Sequence, residues 1–448
     1  MGEHLVASKT GKALSADEVA ANFTDLHTPL AAQLASVQAT RCLFCYDAPC
    51  VTACPTAIDI PKFIRQIATQ NPIGAARTIL SANIMGGTCA RACPTEILCE
   101  QKCVLKAGED EPIPIGALQR HAVDHLLQEQ TTHPFVRGPD TGKKIAVLGA
   151  GPAGLACAHA LAVQGHEVQI FEARPKPGGL NEYGLAAYKM VDDFAAREVK
   201  FILGIGGIKI KYQQSLSRDF VMADLRDQYD AVFVGIGLGR ARRAKIAGDG
   251  LDGVVSALGF IEQIRQADDL CKIDPGEQVV VIGGGNTAID AAIQAKRLGA
   301  RQVTMAYRRG PEQMGATQWE QDLAATNGIG MVHWAAPQRF IGEGAVSTVH
   351  FERMELQDGG LGGTGEHFTL LADRVYLAIG QMLNDDGLGG LKREAGKIVV
   401  DAHGQTSLPG VFAGGDCIAS GEDLTVQAVQ DGKTAAAGIH RFLEGQDG

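Results

Sequence analysis

The sequence is poor in aromatic residues, at 5% with two tryptophans, and it has no run dense in lysine and arginine. With a net charge of -10, a nucleic-acid footprint is excluded as an expectation. No stretch reaches the roughly 18 uninterrupted apolar residues that a membrane helix needs. The start, Met1 to Ala13, is polar and mixed and lacks the apolar centre of a signal peptide. A cytoplasmic chain without membrane contact is expected. Charged residues make up 21% and hydrophobic residues 45%, the balance of an ordinary globular protein. The 448 residues suffice for two or three domains.

Two residue types are plentiful. There are 56 glycines, and in an α/β protein such an excess sits in cofactor loops and tight strand–helix turns. Of 11 cysteines, eight lie between Cys42 and Cys103. In a cytosolic chain that crowding points to metal or redox chemistry rather than to disulfides. The first group reads Cys42-x2-Cys45-x4-Cys50-x3-Cys54-Pro55, and the second Cys89-x3-Cys93-Pro94-x4-Cys99-x3-Cys103. Thiolates hold 4Fe–4S clusters, usually four to each, and a cysteine followed by proline often serves the neighbouring cluster. Two clusters with shared wiring are therefore expected. Two structural zinc sites are the alternative, but zinc favours paired CxxC knuckles, and only Cys42 and Cys45 form one. Cys157, Cys271 and Cys417 are single and are expected to be small core residues.

Further along, Lys144 to Leu148 reads as a buried parallel strand. It runs into Gly149-Ala150-Gly151-Pro152-Ala153-Gly154, a helix from about Pro152 to Gln164, and a second strand, Glu167 to Phe171, that ends at Glu172. This is the order a dinucleotide site requires. Gly149 makes the tight turn, Gly151 admits the pyrophosphate, Gly154 lets helix and strand pack closely, and Glu172 accepts from the adenosine ribose. The unit recurs. The strand Gln278 to Ile282 leads into Gly283-Gly284-Gly285-Asn286-Thr287-Ala288 and a helix to about Leu298. A strand from Gln302 to Ala306 then ends in Tyr307-Arg308-Arg309. Ala288 stands for the third glycine, which the fingerprint permits. Arginines where an NAD site often has an acid can accept an adenosine 2′-phosphate, so Arg308 and Arg309 lean locally to NADPH. A linker is expected from His133 to Asp140. No catalytic acid or base stands out.

The cysteine stretch resembles the N-terminal region of dihydropyrimidine dehydrogenases and of the glutamate synthase small subunit. Arg41-Cys42-Leu43-x-Cys45-x-Asp47-Ala48-Pro49-Cys50, Cys93-Pro94-Thr95-x3-Cys99-x3-Cys103 and Pro112-Ile113-x-Ile115-Gly116-x-Leu118-Gln119 match the former more closely. The resemblance implies one cluster on Cys42, Cys45, Cys50 and Cys103. The second would take Cys54, Cys93, Cys99 and Gln119, leaving Cys89 aside. A glutamine within a helix is ordinarily a solvated surface residue, and spacing alone leaves open whether Gln119 or Cys89 completes that set.

Pro177-Gly178-Gly179-Leu180 resembles the flavin-side loop of flavoproteins with two dinucleotide domains. Gly410 to Asp416 resembles their C-terminal flavin motif, with a helix from about Leu424. FAD contacts at Gly179, Leu180, Gly415 and Asp416 are implied. Lys189 stands where some relatives carry a flavin-contacting arginine. Ala378-Ile379-Gly380-Gln381 resembles the crossover strand near the nicotinamide, so Gly380 joins that site. NADPH-using relatives have an arginine at the position of Gly315, which tilts the nicotinamide toward NAD while both stay open.

The resemblance covers nearly the whole chain. It implies an α/β fold with an N-terminal helical domain, residues 1–140, holding two 4Fe–4S clusters. An FAD domain would comprise 141–240 and 382–448, with an NAD(P) domain, 241–381, inserted in it. It further implies the electron-input subunit of an NAD-dependent dihydropyrimidine dehydrogenase. That subunit would pass electrons from NAD(P)H through FAD and the clusters to a separate FMN-containing catalytic subunit, within a hetero-oligomer. The alternatives are the small subunit of a glutamate synthase and a non-catalytic, metal-stabilised nucleotide-binding module.

Overall fold

The computed structural model describes residues 14–108, 110–129, 132–357 and 360–445. The expectation for Met1 to Ala13 lies outside these residues. The chain divides into two compact units. The larger comprises Asp25–Leu185, Lys189–Arg240 and the residues from Gln381 onward. The smaller takes Ala241–Gly380, Ala186–Tyr188 and the described residues up to Thr24. The segment with the second glycine loop is thus inserted between two stretches of the segment with the first.

The larger unit begins with short helices. In Ile60–Ala68, Ile60, Phe63, Ile64 and Ile67 recur at helical spacing and are all buried. Asp59 caps this helix by accepting from the Lys62 N–H at 3.1 Å, satisfying one of the orphan donors of the first turn. Asn71 does the same for Pro72–Ala82 through the Gly74 N–H, at 2.8 Å. Gly86–Ala92 and Ile115–Glu129 complete the main helical packing.

A sheet of five parallel strands follows, ordered Val411–Ala413, Ala231–Val234, Lys144–Leu148, Glu167–Glu172, Ile208–Tyr212. Its central strands are buried along nearly their whole length, the signature of a sheet covered on both faces. The helix Pro152–Val163 packs against the C-terminal helix Thr425–Leu443. Phe63, Ile79 and Leu118 of the helical region join Ile145, Val147, Phe233 and Ile439 in one continuous apolar core. The cysteine-bearing region and the first nucleotide fold therefore share an interior.

The smaller unit repeats the parallel design in the order Val254–Ser256, Arg374–Leu377, Gln278–Ile282, Gln302–Ala306, Gly330–Val332. An antiparallel sheet of Ala335–Ile341, Thr348–Gln357 and Gly360–Leu371 belongs to the same unit. Two expectations need correction here. Of the expected crossover strand Ala378 to Gln381, only Gln381 lies in a strand, Gln381–Met382; the preceding strand ends at Leu377 and Gly380, with φ +95°, interrupts the run, since that angle is outside strand space. Cys271 is exposed on a short 3₁₀ turn, unlike the fully buried Cys157 and Cys417. No helix among the described residues is long and apolar enough to cross a membrane.

Candidate functional site

The first glycine loop follows directly from its strand. Gly149 has φ +92°, and a side chain there would meet the Gly235 carbonyl oxygen at 2.6 Å. A side chain at Gly154 would collide with the Gly149 carbonyl. A Cβ at Gly151 would find only the Gly179 Cα, at 3.8 Å. The loop is thus tight where it must turn and pack, and open where a phosphate would approach. Ala150, Ala153 and Gly154 are buried beneath it, while Pro152 opens the helix at its first turn. The helix N-terminus supplies free N–H groups and a positive dipole end.

Glu172 is 7% exposed. It accepts from the Ala150 N–H at 2.7 Å and from the Arg174 N–H at 2.8 Å. Burial raises its carboxyl above the usual range against the pull of those N–H groups. It locks the loop, and each oxygen keeps a lone pair for a ribose hydroxyl. Gly179 and Leu180 open a short helix beside Gly151. Gly415 donates its N–H to Asp431 at 3.0 Å. Asp416 is half-buried, and its carboxyl is pushed up to about 6 by burial and by the neighbouring Asp423. Lys189 is 6% exposed and lies near enough to His27 to oppose its protonation.

The second loop keeps the plan with looser fittings. At Gly285 a side chain would meet nothing within 4 Å, again an open approach. Ala288 is buried in the third position. Asn286 and Thr287 begin the helix, and the Asn286 Oδ1 is buried without a partner, which suits a ligand carrying a hydroxyl donor. A Cβ at Gly315 would lie 4.0 Å from the Gly284 oxygen and from the Gly285 Cα, so a side chain there would border the loop. Arg308 and Arg309 are exposed. Gly380 accepts at its carbonyl from the Arg242 N–H, at 3.0 Å.

In the helical region Cys42, Cys45, Cys50 and Cys103 line one cavity with Ile64 and Leu105. Cys54, Cys93 and Cys99 lie within electrostatic reach of one another. The two sequence groups are thus interleaved, with Cys103 joining the first set and Cys54 the second. Burial raises the Cys42 thiol and pushes Cys50 up to about 11, so ligation has to displace protons from these sulfurs. Cys93 is raised first by its hydrogen bond with Cys89 and then by burial. Among the described residues no three His, Cys, Asp or Glu converge tightly enough for one metal ion. Thiols spread around a cavity suit a cluster better than a single tetrahedral zinc.

Gln119 is 6% exposed, unlike the ordinary solvated glutamine of a helix. Its Nε2 donates to the Gly86 carbonyl at 2.7 Å, leaving Oε1 as a donor atom for a metal. Cys89 accepts instead from the Asn83 amide at 3.2 Å.

Several residues at these sites carry no motif. Glu198, on Phe194–Leu203, accepts from the Gly87 and Thr88 N–H groups at 2.9 and 3.0 Å and from the Thr88 hydroxyl. It caps the helix that leads to Cys93. Asn181, next to Leu180, accepts from the Thr425 hydroxyl at 2.9 Å and lies against Met85. Spacing holds no signal for such contacts, which join segments about 100 or more residues apart.

Comparison with known proteins follows these divisions. Residues 19–131 match the family described as dihydropyrimidine dehydrogenase domain II, 4Fe-4S cluster. Residues 143–432 match the pyridine nucleotide-disulphide oxidoreductases. The NAD-dependent dihydropyrimidine dehydrogenase subunit PreT of Salmonella typhimurium is 35% identical, over 96% of this chain and 97% of its own. The Escherichia coli protein of that name is also 35% identical, over 95% and 98%. The glutamate synthase [NADPH] small chain of E. coli is 34% identical over 94% of each. Among solved structures, Mycobacterium tuberculosis FprA in complex with NADPH aligns with a TM-score of 0.59 at 19% identity. It covers 69% of this chain and 85% of its own. Lactococcus lactis thioredoxin reductase aligns with 0.54 at 21%, covering 68% and 99%; both likenesses concern the fold.

Proposed function

We propose, because the chain belongs to the pyridine nucleotide-disulphide oxidoreductases and to the group that joins PreT subunits with glutamate synthase small chains, that it is the electron-input subunit of an NAD-dependent dihydropyrimidine dehydrogenase. The observation that carries this reading is the shared core of the cysteine-bearing helices and the first glycine loop. A flavin and iron–sulfur clusters held in one rigid interior suit electron transfer. When bound, the nicotinamide supplies hydride, FAD converts two-electron to one-electron chemistry, and two 4Fe–4S clusters carry single electrons. The acceptor is a separate FMN-containing subunit that reduces uracil or thymine, and the setting is the cytoplasm.

The protein's own part is binding and orientation. Residues 141–240 and 382–448 form the flavin domain. Gly151 admits the pyrophosphate, Glu172 holds the ribose, Asp416 and Gly415 face the ribityl side, and Lys189 the ring side. Residues 241–381 form the nicotinamide domain, with Gly285 as the phosphate cradle and Arg308 and Arg309 at the adenosine end. Residues 1–140 hold the clusters, one on Cys42, Cys45, Cys50 and Cys103. The other is on Cys54, Cys93, Cys99 and Gln119, whose amide is oriented by its bond to Gly86.

The test is reconstitution with an FMN subunit under argon. Uracil-dependent NADH oxidation is the expected result. Oxidation that depends instead on glutamine and 2-oxoglutarate would replace this reading with that of a glutamate synthase subunit.

A further inference from the structure

Gly86 and Gly87 open the helix Gly86–Ala92 that leads to Cys93. The peptide between them is held from both sides. Its carbonyl, on Gly86, accepts from Gln119 Nε2 at 2.7 Å. Its N–H, on Gly87, donates to Glu198 Oε1 at 2.9 Å. The same oxygen accepts from the Thr88 N–H at 3.0 Å, and Oε2 accepts from the Thr88 hydroxyl. The next carbonyl, on Gly87, accepts from Arg91 at 3.0 Å. A Cβ at Gly87 would meet Phe194 Cζ at 2.3 Å and Glu198 Oε1 at 2.8 Å, so glycine lets the helix Phe194–Leu203 come this close.

This peptide decides which end of the Gln119 amide stays free. The two ends of a glutamine amide are alike in shape, but one donates and the other accepts. A carbonyl facing the amide takes its NH₂ and leaves Oε1. An N–H facing it would take Oε1 and leave the NH₂, which has no lone pair to offer a metal. A peptide between two glycines meets little steric resistance to turning over. Turning here would take a donor away from Glu198, which is 1% exposed, and a buried carboxyl does not give up a partner without cost.

We propose that Glu198 is a positioning residue for Gln119: by fixing the Gly86–Gly87 peptide it keeps the amide oxygen, rather than the amide nitrogen, available to the cluster of Cys54, Cys93 and Cys99. The inference rests on the ligand reading above. Groups that orient a metal ligand by hydrogen bonding are part of how a site holds its metal. Here the orientation runs through a backbone peptide, from a side chain 111 residues beyond Gly87. Glu198 also caps the helix, and the test has to separate the two roles. Glu198→Gln keeps the geometry, since its Oε1 accepts from the same two N–H groups and its NH₂ faces a hydroxyl that can accept.

The test uses the full chain with its flavin and clusters, prepared under argon. Iron release to a chelator is timed, and the clusters are followed by EPR. Gln119→Leu first identifies the signal of the cluster that Gln119 serves. Glu198→Leu is expected to speed iron loss from that cluster about tenfold or more and to change its EPR signal, while the other cluster keeps both. Glu198→Gln restores the wild-type rate and signal. Thr88→Val, which removes only the hydroxyl bond, lowers stability in urea and leaves iron release unchanged. Should Glu198→Leu fail to fold, Glu198→Asp withdraws the carboxylate from the Gly87 N–H and carries the same expectation in weaker form. Wild-type iron release and signals in a folded Glu198→Leu or Glu198→Asp protein overturn the inference, as do equal effects on both clusters. Unchanged signals in Gln119→Leu sink instead the ligand reading it rests on.

Discussion

The two glycine loops have the same strand–turn–helix plan and differ in how they are fastened. In the first, Glu172 clamps the turn through two backbone N–H groups, and Gly154 sits where no side chain fits. In the second, an alanine already fills the third position, Asn286 keeps an unpartnered oxygen, and the arginines after the next strand face solvent. The difference teaches that a preorganised loop sharing a core with the cysteine region suits a resident group, whereas an open loop suits a ligand that comes and goes. Preorganisation lowers what binding has to order.

The sharpest way to break that contrast is Gly154→Val. Overpacking against backbone costs about 1–3 kcal/mol or more, and the variant is expected to purify without flavin absorbance. Ala288→Val, in the looser loop, should retain flavin fully. Flavin loss in both variants would show that the loops are not distinct.

A slightly smaller effect concerns the seam under the first loop. Burial pushes the Glu198 carboxyl up to about 7, against the hydrogen bonds from Thr88 and Gly87 and the charge of Arg91. A carboxyl with a raised native pKa holds its proton more tightly when folded, so its contribution is largest below the usual 4.5. Stability then falls as pH rises toward about 7, by roughly 3 kcal/mol across that window. Glu198→Gln should flatten this slope in urea melts at a series of pH values. An unchanged slope would remove Glu198 as its source.

Glu172→Gln leaves one backbone N–H facing an amide NH₂. Losing a charge-assisted bond costs about 1.5–3 kcal/mol, so retained flavin on dialysis is expected to fall on the order of tenfold or more. Nicotinamide binding in the second loop should not change. The smallest effect is expected from the double change Arg308→Ala and Arg309→Ala. It should raise KM for NADPH several-fold, about 1 kcal/mol, and leave KM for NADH and thermal stability nearly as they were. Equal losses for both nucleotides would tie the arginines to something other than a 2′-phosphate.

Much of this molecule was legible in the chain itself. The strands Lys144–Leu148 and Gln278–Ile282 show as short apolar runs ending in glycine, and local periodicity and turn chemistry mark their bounds because a buried parallel strand admits few polar residues. The cysteine spacings announced a metal-type region for a similar local reason: thiols from one loop must reach one site. The break in the strand at Ala378 to Gly380 was not legible, since a sequence does not display φ, and spacing left Gln119 and Cys89 open as alternatives, since helical position alone does not reveal what packs above a side chain.

The order of secondary structure, the two nucleotide folds and the presence of a thiol-rich region were determined by the sequence alone, because each depends on neighbours a few residues apart. The tertiary structure decided the rest. It interleaved Cys54 and Cys103 between the two thiol sets, turned Gln119 inward, and joined the cysteine helices to the first nucleotide fold through one core. It also brought Glu198 to Thr88 and Lys433 to Ala82. Those contacts span about 100 to 350 residues, and only the burial of apolar surface by the whole unit brings such distant segments together.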